Sequence, residues 1–158
     1  MATNKRSILN ETTEIAPERT AAEINCVLIQ CGARSISVDY DAKGGVTGMT
    51  FTLIVNGLPH HFRMPVRTEG VKRLFKERRK KTMGFNAYKF EAKDQEQAER
   101  VAWRQLLRWT QAQLAMIEAG AAEAREIFLP YLTNDAGQTL FEAIESTRFK
   151  ALPEGKAS

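Results

Sequence analysis

The residue pattern most suited to chemistry is a run of cations. Seven of the ten residues from Lys72 to Lys81 are Lys or Arg. Phosphates favour such a surface, because each neutralised phosphate releases condensed counterions. Lys72, Arg73, Lys76, Arg79, Lys80 and Lys81 are the candidate phosphate contacts. Phe85, Tyr88 and Lys89 follow, two aromatic rings able to stack on bases beside one more cation. The competing reading of this run is a solvated helix face with the aromatics turned into the core.

Other groups carry weaker signals. Asp39 and Asp41 share a strand face, and Glu91-Ala92-Lys93 reads E-x-K, a spacing also used by metal-dependent nucleases. The E-x-K falls in a predicted loop, and Asp41 suits a turn, so the pattern does not make a nuclease. His60 and His61 are neighbours on a predicted strand, point to opposite faces and cannot share one metal. Cys26 and Cys31 are five apart in a predicted helix, too poorly aligned for a disulfide. Both are expected as reduced, mostly buried thiols. No P-loop, nucleophile elbow, dinucleotide-binding glycine pattern or zinc-protease motif is present. The sequence assigns no catalytic residue, no metal ligand and no cofactor, which points to a non-enzymatic binding protein.

The 158 residues suit one domain, at most with a helical extension. The composition excludes a disordered or collagen-like chain, and no apolar run has the length of a membrane span. The polar start reads as lacking a signal peptide, so the expected setting is cytoplasmic. The net charge of +4 is unevenly spread. Residues 1–62 carry −1, residues 63–93 carry +8 and residues 94–158 carry −3. A concentrated patch is a better sign of an anionic partner than an evenly basic surface.

The predicted elements place the cations. Residues 1–17 read as a flexible arm. Thr20-Ala21-Ala22-Glu23 has the form of a capping box opening a helix with Ile24, Val27, Leu28 and Cys31 on one face, stopped at Gly32. Three strands follow. Ile36, Val38 and Tyr40 alternate with polar residues, and so do Met49, Phe51, Leu53 and Val55. Asn56-Gly57 predicts a tight hairpin that sets Val55 opposite Leu58, Leu53 opposite His60, Phe51 opposite Phe62 and Met49 opposite Met64. Thr68 caps a second helix with Val71, Leu74 and Phe75 inward and the cations outward. Residues 82–93 read as a loop. Asp94 with Gln97 opens a long helix reaching Ala119, with Trp103 and Trp109 as core anchors. Its ridge of Arg100, Arg104 and Arg108 either extends the basic surface or is solvated and paired with Glu. Thr139-Leu140-Phe141-Glu142 opens a last short helix, and residues 151–158 read as a polar tail.

The fold class is α+β: a helix, a three-stranded antiparallel meander and a basic helix over residues 18–93, then a helical subdomain over 94–150. The αβββα order is also that of double-stranded RNA-binding domains. That is topology alone, since Gly57-Leu58-Pro59-His60 lies between the second and third strands.

Several stretches are more distinctive. They are Glu18-Arg19-Thr20-Ala21-Ala22-Glu23-Ile24, Val55-Asn56-Gly57, Phe62-Arg63-Met64-Pro65-Val66, Glu96 through Gly120 with its WRQLLRWTQAQLAMIEAG core, and Ile127-Phe128-Leu129-Pro130-Tyr131-Leu132. Over roughly residues 17 to 153 the chain resembles a family of small proteins encoded in bacteriophages and prophages. The resemblance implies a bacterial host cell, where small basic proteins manage nucleic acid or disarm defences. It transfers no activity and no site residue. The expected partner is nucleic acid, DNA or RNA. The alternatives are a host protein, as for an anti-restriction or anti-CRISPR inhibitor, or a nucleotide sequestered by a homo-oligomer. No membrane partner is expected.

Overall fold

The computed structural model describes residues 7–83 and 91–149, with backbone only at 82 and 83. Helix α1 (Pro17–Gln30) leads into three strands, β1 (Arg34–Tyr40), β2 (Val46–Val55) and β3 (Leu58–Pro65). Helix α2 (Glu69–Met83) and the long α3 (Ala92–Glu118) follow. Then come a short α4 (Ala124–Ile127), a 3-10 turn (Leu129–Tyr131) and α5 (Leu140–Ser146). The class is α+β, with an antiparallel sheet in the order β1-β2-β3.

The β2–β3 register matches the sequence expectation pair by pair, from Val55 opposite Leu58 to Met49 opposite Met64. Asn56 (φ 52°) and Gly57 (φ 80°) both take the left-handed conformation that a two-residue turn of this hand demands. Strand β1 departs from simple alternation. Its register shifts between Arg34 and Ser37 and again between Asp39 and Tyr40. The second shift turns Tyr40 out, and its side chain is 62% exposed rather than on the core face.

The apolar sheet face, Met49, Phe51, Leu53, Phe62 and Met64, packs under Ile24 and Leu28 of α1 and Trp103 and Leu107 of α3. Phe51 stacks on Phe62 across the strands at 5.4 Å and takes Phe128 edge-on at 5.0 Å. Trp109 joins Phe128 and Tyr131. Trp103 is thus buried in the core, and Trp109 packs against it half-buried. Helix α3 contributes to this core directly through Trp103, Leu107 and Leu114.

Three helix starts or faces differ from expectation. Helix α1 opens at Pro17, whose missing N–H costs nothing in the first turn. Thr20 is therefore inside the helix, fully buried, with its hydroxyl donating to the Ala16 carbonyl. Helix α3 opens at Ala92, where Glu91 and Asp94 form a reciprocal capping box. On α2, Val71 and Phe75 turn inward, but Leu74 is exposed, because each residue advances about 100° around the axis. Thr139 and Glu142 do form the expected capping box of α5.

Residues 7–16, read from sequence as a flexible arm, are docked. Ile8 is buried with Val71 and Phe75 of α2 and Ala98, Val101 and Ala102 of α3. Gln97 donates from its side-chain amide to the carbonyls of Glu11 and Thr13, and Gln105 to that of Leu9. This second apolar cluster seats the basic helix.

Candidate functional site

Helix α2 presents its charge by rotation. Val71 and Phe75 mark the buried side. At about 100° per residue, Arg73, Lys76 and Lys80 fall on the opposite side, one ridge at i, i+3 and i+7. Arg73, Lys76 and Lys81 are exposed and Lys80 is half-buried. Lys72 lies on a flank with its Nζ 2.6 Å from Glu69 Oε1. That hydrogen bond, with the lysine charge, holds the Glu69 carboxyl below the usual carboxylate range.

Two arginines on α2 meet carboxylates from elsewhere in the chain. Arg79 Nη1 is 3.1 Å from Asp94 Oδ1 at the start of α3, and Asp94 is only 2% exposed. Arg78 Nη1 is 3.1 Å from Glu11 Oε2 in the docked segment. Arg78 and Asp94 were not among the site residues expected from sequence. A carboxylate opening the next helix was the available signal for Asp94. Nothing in the polar stretch around Glu11 marks it as a partner. Phe85, Tyr88 and Lys89 lie outside the described residues.

The ridge on α3 does not extend this surface as a unit. Arg104 is buried between helices, 3.0 Å from Glu23 of α1. Arg100 pairs with Gln97 and Glu96, and Arg108 donates to Gln111.

The weaker constellations have structural occupations. Asp39 accepts from the Thr50 hydroxyl, and Asp41 closes the β1–β2 turn by accepting from the amides of Lys43 and Gly45. Glu91 caps α3, with Lys93 Nζ 3.2 Å away. Among the described residues no three acidic, His or Cys groups converge where a metal could bind. His61 Nδ1 lies 3.0 Å from the Thr52 hydroxyl on one sheet face. His60 is on the other, half-buried. Both cysteines are thiols, but Cys26 is exposed, contrary to expectation, because it faces away from the α1 stripe. Burial, aided by the charge of Glu118, pushes the Cys31 thiol up to about 11.

At the hairpin end of the sheet, Val55, His60, Phe62, Leu129 and Leu132 line an open apolar groove of about 390 Å³, rimmed by Arg125 and Glu126. Among the described residues no helix is long and apolar enough to cross a membrane.

Comparison of the chain with protein-family models, with curated proteins and with solved structures finds no match. The basic helix and the apolar groove therefore have to be judged on their own chemistry.

Proposed function

We propose that the protein is a non-enzymatic, phage-type nucleic-acid-binding protein of the bacterial cytoplasm that lays the outer face of α2 on phosphates. The observation that supports this reading is the density of positive charge on one seated helix. Seven cations lie within ten residues, about 15 Å of helix axis. Duplex DNA presents roughly nine phosphates over that length. Carboxylates of the chain meet Lys72, Arg78 and Arg79 among the seven, and the helix still carries a net positive charge that a polyanion complements. Arg73, Lys76, Lys80 and Lys81 are the proposed phosphate contacts, with Lys72 and Arg79 on the flank.

The test is fluorescence anisotropy with single-stranded DNA, duplex DNA and duplex RNA across a range of salt. Tight binding that weakens steeply with salt is expected. The R73E/K76E/K80E variant keeps Arg79 on Asp94 and should stay folded. Its slope of log affinity against log salt should shrink by about three on duplex DNA. Unchanged binding in the folded variant, or no binding by the parent protein at low salt, overturns the proposal. The apolar groove then favours the second reading, a protein-binding inhibitor of a host defence system.

A further inference from the structure

The two carboxylates that reach α2 arrive from distant parts of the chain and meet consecutive arginines. On the helix, Arg78 and Arg79 project on either side of the inward line defined by Val71 and Phe75, each within about 60° of it. Glu11 meets the first and Asp94 the second, both at 3.1 Å. Among the described residues, the buried apolar contact of α2 is made by Val71 and Phe75, and a contact of two side chains fixes separation better than rotation. Two ion pairs, one on each flank, resist rolling in either direction.

We propose that Arg78 and Arg79 are rotational stops rather than phosphate contacts, and that Glu11 and Asp94 are the positioning residues that aim the Arg73–Lys76–Lys80 ridge at the polyanion. The inference rests on the nucleic-acid reading above and sharpens it, because it divides the seven cations into those that seat the helix and those that touch the partner. The two pairs differ in kind. Asp94 is a buried carboxylate, and Arg79, itself 47% exposed, supplies its counter-charge as an ion pair without a hydrogen bond to Oδ1. Glu11 is 36% exposed along its side chain, and Arg78 donates a hydrogen bond to it that solvent partly screens. Glu11 also accepts the Ile8 amide, which couples this stop to the seated segment.

A charge swap separates seating from contact. In the full-length protein, R78E places two carboxylates together, while E11R/R78E restores the pair in reverse without changing net charge. Two readouts are needed: amide hydrogen exchange over Glu69–Met83, and the salt dependence of binding to a labelled 20-base-pair duplex. R78E should speed exchange in α2 by up to about fivefold, the worth of one exposed pair. The swap should restore both protection and the salt slope of the parent protein. A swap that recovers protection but keeps a slope smaller by about 0.9 makes Arg78 a phosphate contact and overturns the inference. So does R78E with unchanged exchange. Should the swap fold poorly, E11Q/R78Q asks the same question with a neutral pair. If the parent protein binds no duplex, the function above fails, and the exchange data still decide whether the arginines seat the helix.

Discussion

Asp94 does three things with one carboxylate: it closes the capping box of α3, supplies the counter-charge of Arg79 and sits fully inside the fold. The sequence marked Asp94 as opening the helix with Gln97, whereas Glu91, three residues earlier, is the cap and Asp94 its partner. Thr20 was misread for a similar reason, since Pro17 opens the helix earlier and leaves the threonine to bury its hydroxyl on Ala16. Cysteine burial was legible for Cys31 from the apolar stripe and misjudged for Cys26, which lies off it. Cys31 yields a pH prediction. Its thiol titrates near 11 in the folded protein, against an ordinary value of 9.0. Between those values the unfolded chain has released the proton and the folded one has not. Stability therefore falls as the pH climbs from about 9 to 11, and is unaffected by this group below 9. Urea denaturation at pH 8 and pH 10.5 should show the drop in the parent protein, and a smaller one in C31A.

Elements were legible where two signals agreed. The β2–β3 hairpin had both an Asn-Gly turn and unbroken alternation, and its register was readable to the residue. Strand β1 had alternation alone, and its two register shifts left no mark in the pattern. Gly48 shows why β2 and β3 fit so closely. A Cβ there would stand 2.8 Å from the Met64 carbonyl oxygen and 3.1 Å from Pro65 Cα, both backbone and unable to yield cheaply. G48A should cost about 1–3 kcal/mol by forcing the strands apart. Its thermal melting temperature should fall well below that of a G70A control, where a Cβ meets nothing within 4 Å. A G48A melt equal to the parent's would mean that the strands separate without strain. The basic helix was legible as a charged face with Val71 and Phe75 inward, but the carboxylates that meet Arg78 and Arg79 were not, because they come from residues 11 and 94.

Over the whole molecule, α3 is shared between two cores. Val101 and Ala102 face the cluster under α2, while Trp103 and Leu107 face the sheet. Two clusters that share one rigid helix should unfold together. W103A, which empties the most voluminous fully buried site, should lose about 3–5 kcal/mol in a single transition. F75A empties the smaller cluster and should lower α2 protection first. Coincident near- and far-ultraviolet circular dichroism melts would establish the shared transition for W103A, and separated melts would refute it. The sequence showed a long amphipathic helix but described residues 1–17 as a loose arm. The docking of residues 7–16 runs through backbone carbonyls that accept from Gln97 and Gln105, and bonds of that kind leave no hydrophobic period to read.

The same docking sets an order of events during synthesis. Residues 9, 11 and 13 find their partners on side chains 84 to 96 positions further along the chain. At cellular elongation rates of about 5–20 residues per second, that is a wait of roughly 4–19 seconds. For most of that interval Ile24 and Leu28 of α1 also lack Trp103 and Leu107 of α3. Until α3 emerges, only the sheet can pack on that face of the first helix, so the core is assembled in two stages as the chain lengthens.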